Sequence, residues 1–129
     1  MSTKEKASAS QETWASGLVG VWSLRSVREL DADGTLLGEP YGQRPAGRLL
    51  YGTAHQVAVV VRGHEDAPAV AYIGDFDAGA DGLLRHIVQV GLPPFTEDQV
   101  RWARLDGDLL ILATDREGRC RTELRWARA

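Results

Sequence analysis

The chain has 129 residues, 43% of them hydrophobic and 26% charged, with a formal net charge of −3. This length predicts one domain with a hydrophobic core large enough to stabilise it. The negative net charge and the absence of a Lys/Arg cluster exclude the basic surface that nucleic-acid binding requires. Cys120 is the single cysteine, which excludes an internal disulfide and a cysteine zinc cluster. A lone thiol, with no apolar signal segment and no membrane-length apolar run, predicts a cytoplasmic protein that contacts no membrane.

Residues 1–16 are mostly polar and small, which predicts a flexible N-terminal arm, either disordered or helical. Trp14 is the exception, and we expect its ring to dock on the folded domain. Residues 17–129 then form that domain.

Eight runs of strand length follow the arm, each rich in aliphatic or aromatic residues. They are Val19–Glu29, Gly47–Tyr51, Gln56–Arg62, Ala69–Phe76, Leu83–Gly91, Gln99–Leu105, Leu109–Thr114 and Arg119–Ala127. Turn signals separate several of them, at residues 33–34, 81–82, 106–107 and 117–118. Their glycines supply the positive φ that tight hairpin turns require.

Short strands joined by tight turns predict an all-β fold, a closed eight-stranded antiparallel up-and-down β-barrel. A barrel of about eight strands either fills with side chains or holds one small ligand. A small sandwich is the alternative architecture. The segment Gly38–Gly47 is rich in glycine and proline and long for a hairpin loop, so it is either a lid over one mouth or a plain connector.

Side-chain alternation separates an apolar face from a polar one on several strands. On the fifth predicted strand the apolar face carries Leu84, His86, Val88, Val90 and Leu92. On the fourth, the expected inner face carries Val70, Tyr72, Gly74 and Phe76, and on the last it carries Cys120, Thr122, Leu124 and Trp126. The pattern therefore predicts that His86 points into the barrel.

His86 and Tyr72 are predicted neighbours across the hairpin that joins their strands. If Phe76 lies opposite Leu84, His86 faces Gly74, which leaves space beside the imidazole, and Tyr72 is the diagonal neighbour. A shift of two residues places Tyr72 directly opposite His86, and both arrangements allow contact. Burial keeps the imidazole neutral and the tyrosine protonated, so the pair could polarise a carbonyl, move a proton or hold a polar ligand atom. The alternative is a core histidine that only satisfies a structural partner.

The remaining candidate groups predict little chemistry. His55 and His64 lie in or beside loops and are expected to be solvated, so no metal site is predicted. Cys120 is expected to be a buried small hydrophobe, and no cofactor motif or nucleophile elbow occurs.

The segment Leu18–Gly34, with Tyr41-Gly42, Gly47–Tyr51, Tyr72–Phe76, His86–Val90, Gln99–Arg101, Leu105–Leu109 and Leu124–Trp126, resembles the bacterial and fungal lipocalin-like domain family. The resemblance implies a calycin-type barrel in which Trp22 of Gly20-x-Trp22 packs across the base, with Arg121 or Arg125 stacked on it. Some members of that family are cyclases of polyketide-type intermediates. This chain has Phe95 where the family tends to carry tryptophan, and its third strand is shorter, so the ligand identity does not transfer.

We therefore predict a barrel that binds a small, largely apolar molecule and catalyses its cyclisation or isomerisation without a cofactor, with His86 and Tyr72 as catalytic residues. The predicted ligand-binding wall comprises Trp22, Tyr51, Gly74, Phe76, Val88, Trp102, Thr122 and Leu124. The alternatives are a carrier barrel without chemistry and a structural barrel with a filled interior. The expected state is a monomer or a homodimer.

Overall fold

A computed structural model describes residues 14–95, 97–115 and 121–129. Residues 14–18 are helical, and nine strands follow. The strands are β1 Gly20–Leu30, β2 Leu36–Gly38, β3 Gly47–Tyr51, β4 Gln56–Val61, β5 Val70–Ala78, β6 Leu83–Leu92, β7 Gln99–Asp106, β8 Leu109–Ala113 and β9 Arg121–Arg128. A 3₁₀ turn, Ala80–Gly82, joins β5 to β6.

The strands form a closed antiparallel barrel, as the sequence predicts. From β3 to β9 each strand pairs with the next along the chain, β1 pairs with β3, and β1 also pairs with β9, which closes the barrel with eight strands. The additional strand β2 pairs only with β1, and three residues were too few to indicate it in the sequence. The small sandwich is therefore excluded, and the eight predicted strands match the observed bounds within two residues at each described end.

The closed end of the barrel is built around Trp22, which is fully buried. Its indole Nε1 donates to the carbonyl of Leu18, and the Arg128 guanidinium lies 4.1 Å from the ring centroid. Arg128 also donates to the carbonyls of Val19 and Gly17 at 2.7 and 2.6 Å, which ties the helical residues to the last strand.

The expectation that Arg121 or Arg125 stacks on Trp22 is therefore wrong. In the β1–β9 register Arg128 is the partner of Trp22, whereas Arg121 lies opposite Leu30 at the other end of β1. The docking of Trp14 is confirmed, since its Nε1 donates to the Gly79 carbonyl at 2.9 Å. The prediction for residues 1–13 lies outside the described residues.

A β-bulge in β6 changes which side chains face the lumen, the interior of the barrel. Gly74 pairs with Val88 but Ile73 pairs with Val90, so Gln89 is the extra residue. Leu84 and His86, before the bulge, are buried as predicted. Val90 and Leu92, after it, are 64% and 70% exposed, so the prediction that they point inward is wrong.

The outer surface of strands β1 and β3 to β6 carries a row of apolar side chains. Val21, Leu50, Ile73 and Val90 are all exposed, and the strand registers connect them in one row through Ala58 of β4. These strands thus have apolar side chains on both faces, so alternation alone assigns the inner face poorly here.

Candidate functional site

The barrel contains a cavity of about 650 Å³ that opens at the end opposite Trp22. Its wall is mainly aliphatic and aromatic, and includes Val59, Val61, Val70, Leu112, Leu124 and Trp126. The cavity rules out a barrel completely filled with side chains.

The mouth of the cavity is formed by the loop segments at residues 39–46 and 62–69. Pro40 and Tyr41 line it from the first segment, and the Tyr41 hydroxyl donates to the Pro68 carbonyl of the second at 2.9 Å. The glycine- and proline-rich segment therefore lies where the lid hypothesis requires, although opening and closing remain a prediction. Of the charged residues in these two segments, Glu65 and Asp66 line the cavity.

Deep in the barrel, His86 lies between two tyrosines, and we call this group the Tyr–His–Tyr chain. The Tyr51 hydroxyl is 2.7 Å from His86 Nε2, and the Tyr72 hydroxyl is 2.5 Å from His86 Nδ1. Tyr51 and His86 are both only 2% exposed, whereas Tyr72 is half-buried and, like His86, lines the cavity. The predicted contact between His86 and Tyr72 is present, and Tyr51 is a second partner.

The register that produces this contact is neither of the two predicted. Phe76, not Gly74 or Tyr72, lies opposite His86, and Tyr72 lies opposite Gly91 beyond the bulge. Tyr72 therefore reaches His86 along the lumen and not directly across the strand pair. The expected space beside the imidazole at Gly74 is absent, because a Cβ there would collide with the Ile87 carbonyl oxygen.

Burial controls the protonation of the Tyr–His–Tyr chain. It lowers the pKa of His86 to about 3, helped by the nearby positive charge of Arg101. Burial raises the pKa of Tyr72 to about 12, although Arg101 opposes the shift, and it raises the pKa of Tyr51 well above its ordinary value. At neutral pH the imidazole is uncharged and both tyrosines are protonated, as expected from the sequence.

A neutral imidazole donates from one nitrogen and accepts at the other, which gives the chain a direction. Among the described residues the buried Tyr51 hydroxyl has His86 as its hydrogen-bond partner, so it must donate to Nε2 or leave its proton unsatisfied. The Nδ1–H of His86 then donates to the Tyr72 oxygen. This leaves the Tyr72 hydroxyl proton available to a group in the cavity.

Arg101 is a cavity-lining residue that the sequence analysis missed. It donates to the Val100 carbonyl at 2.7 Å and to Gln99 Oε1 at 3.2 Å, and it forms no ion pair with a described carboxylate. Nothing in the sequence distinguishes it from an arginine on the protein surface. Its inward direction follows from pairing with the buried Leu84, a register that the sequence alone does not reveal.

The other predicted ligand-binding residues are divided between the cavity and its surroundings. Thr122 and Leu124 line the cavity, whereas Trp22 closes the opposite end. Phe76 is buried beneath the cavity against Tyr51, with ring centroids 4.8 Å apart. Gly74, Val88 and Trp102 do not line it. Trp102 alternates with Arg101, which places it on the outer face of β7.

The loop histidines and the cysteine add nothing to this site. His55 is exposed and stacks on Phe76, and His64 lies 3.5 Å from Glu65 at the surface. Among the described residues no three His, Cys, Asp or Glu side chains gather as metal ligands would. The prediction of a buried Cys120 lies outside the described residues.

In the part of the chain that the structure describes, no helix has the length and apolar character to cross a membrane.

Neither a scan against protein-family models nor a search of curated proteins found a match to this chain. The functional argument therefore rests on the geometry of the cavity.

Proposed function

We propose that this protein binds a small, largely apolar molecule inside its barrel. The observation that carries the proposal is the cavity of about 650 Å³, whose apolar wall surrounds a few convergent polar groups. Ligand sites are typically about 300–1,000 Å³ in volume and have this composition, with polar groups that orient the ligand. Here Tyr72, His86 and Arg101 are those groups.

A substitution that fills the cavity tests binding. Val61 lines the cavity on β4, and its neighbour Val60 points outward and is 58% exposed. We expect Val61→Trp to weaken the binding of the neutral fluorescent probe N-phenyl-1-naphthylamine by about tenfold or more, or 1.4 kcal/mol. Val60→Trp, the matched control, should bind the probe as the wild type does.

Circular dichroism melting of both variants shows whether the barrel remains folded. If the folded Val61→Trp variant binds the probe as tightly as the wild type, the probe lies outside the lumen. A wild-type protein that does not bind the probe would contradict the proposal directly.

We also propose a second function, cyclisation or isomerisation of a polyketide-type intermediate, which the resemblance to lipocalin-like cyclases implies. The specific observation in its favour is the Tyr72 hydroxyl, directed into the cavity by the Tyr–His–Tyr chain, beside the cationic Arg101. Preorganised donors of this kind stabilise the negative oxygen of an enolate, and the wall can hold a flexible intermediate in a folded shape. A carrier barrel without chemistry is the alternative.

Deuterium exchange distinguishes a catalytic barrel from a carrier barrel that binds its ligand without chemistry. Benzoylacetone in D₂O exchanges its central C–H protons when solvent removes a proton and leaves an enolate, to which deuterium then adds. We expect the wild type to accelerate this exchange, followed by NMR, and Tyr72→Phe to lower the acceleration by roughly 100-fold.

Thr35→Val is the matched control, because it deletes a hydroxyl group from an exposed residue that does not line the cavity. It should exchange at the wild-type rate. If the wild type does not accelerate exchange, or if Tyr72→Phe is as fast as the wild type, the catalytic proposal is wrong and the carrier alternative stands.

A further inference from the structure

We infer that the lumen selects a molecule with one anionic oxygen group, a carboxylate or an enolate, bound by the Arg101 guanidinium and the Tyr72 hydroxyl. The inference rests on the proposed binding function and adds the chemical class of the ligand. It follows from the direction of the polar groups and from where charge lies in the cavity.

The first argument is the unused hydrogen-bonding capacity of Arg101. A guanidinium has five N–H donors, and the described contacts of Arg101 are with one backbone carbonyl and one neutral amide oxygen. It lines an otherwise largely apolar cavity without a carboxylate partner among the described residues. A cation in such surroundings is costly unless paired, and a bidentate oxyanion is its best-matched partner.

The second argument is the direction of the Tyr–His–Tyr chain. Because Tyr51 donates to His86 and His86 donates to Tyr72, the hydrogen bond that Tyr72 still offers to the cavity is a donor. The polar groups deep in the cavity thus present hydrogen-bond donors. A ligand group that only accepts hydrogen bonds can therefore satisfy all of them. A carboxylate or enolate oxygen has this property, whereas an alcohol or an amine does not.

The third argument is the placement of the acidic groups. Glu29, Glu65 and Asp66 also line the cavity, but they are exposed to solvent, and none of them forms an ion pair with Arg101. They therefore do not neutralise the partly buried guanidinium of Arg101, and they disfavour an anionic group beside them. A ligand with a single anionic end therefore binds with that end inward and its apolar body against the wall.

Displacement of N-phenyl-1-naphthylamine by two competitors of equal chain length, decanoate and decan-1-ol, tests the inference. We expect decanoate to displace the probe from the wild type at a concentration about tenfold or more below that of decan-1-ol. Arg101→Gln should abolish or reverse this preference while still binding the neutral probe. Arg104→Gln, which removes the same charge from an exposed position on the same strand, should keep the wild-type preference.

The outcomes separate this inference from the function on which it rests. If the probe binds and decanoate is no better than decan-1-ol on the wild type, the anion inference is wrong and lumen binding stands. If the probe does not bind at all, both fail. Should Arg101→Gln not fold, the wild-type preference decides, and Tyr72→Phe, which removes the second donor, must then reduce it.

Discussion

At the scale of single residues, the central feature is one buried histidine whose two ring nitrogens both bond to tyrosine. His86 does not need to contact the ligand in order to influence how the cavity binds it. By accepting from Tyr51 and donating to Tyr72, it determines that Tyr72 presents a proton to the cavity. The sequence predicts the inward direction of His86 because its neighbours on that face are apolar.

The protonation of His86 makes stability depend on pH. The pKa of His86 is about 3 in the folded protein and 6.5 in its ordinary state, so between these values the unfolded chain binds a proton that the folded chain excludes. The stabilising effect of the neutral imidazole is complete above pH 6.5 and is lost as the pH falls toward 3. The free energy of unfolding then decreases by at most about 1.4 kcal/mol per pH unit.

Urea denaturation between pH 4.5 and 8 measures this effect. The difference in unfolding free energy between the wild type and His86→Gln should shrink as the pH falls, because the variant lacks the titrating group. His55→Gln, at an exposed histidine, should follow the wild-type profile. Parallel profiles for the wild type and His86→Gln would show that His86 does not titrate on unfolding.

At the scale of secondary-structure elements, the bulge in β6 arranges the site. The register that continues from the β5–β6 turn places Phe76 opposite His86, and the extra residue, Gln89, then places Tyr72 opposite Gly91, from where its hydroxyl reaches back to the imidazole. The same bulge sends Val90 and Leu92 to the outer surface. Bulges redirect side chains in this way because they add one residue to a period-two alternation.

The close approach of β5 and β6 at this bulge predicts a stability effect at Gly74. A methyl group there would meet the Ile87 carbonyl oxygen, a backbone atom that moves only with the strand. We expect Gly74→Ala to lower the free energy of unfolding by about 1–3 kcal/mol, the usual cost of overpacking. Chemical denaturation measures it.

Gly38→Ala is the matched control, because Gly38 also lies in a strand and a Cβ there meets no atom within 4 Å. Its stability should stay close to that of the wild type. If the two variants are equally stable, the strands separate at the bulge without cost, and the close packing of β5 and β6 is not required.

At the scale of the whole molecule, one end of the barrel is closed by packing and the other end is open to the cavity. At the closed end, Trp22, Arg128 and the helical residues 14–18 join the beginning of the described chain to its last strand. At the open end, the loop segments at residues 39–46 and 62–69 surround the mouth of the cavity. The binding site therefore lies away from the contacts that close the barrel.

The sequence by itself determined the number, type and order of the barrel strands and the inward direction of His86. Period-two alternation and glycine turns are local properties, and neighbouring residues are enough to express them. The contact of Tyr72 with His86 also agrees with the sequence prediction, and the burial of Trp22 at the base agrees with what the resemblance implies.

Only the tertiary structure decided the register, and the register decided the site. The bulge at Gln89, the pairing of Arg101 with Leu84 and that of Arg128 with Trp22 all join residues on different strands. No short segment encodes these pairings, because they depend on the fit of whole strands around a closed barrel, where one extra residue reverses the direction of every side chain beyond it. The sequence contains Arg101, but it does not reveal that the guanidinium of this residue lines the cavity.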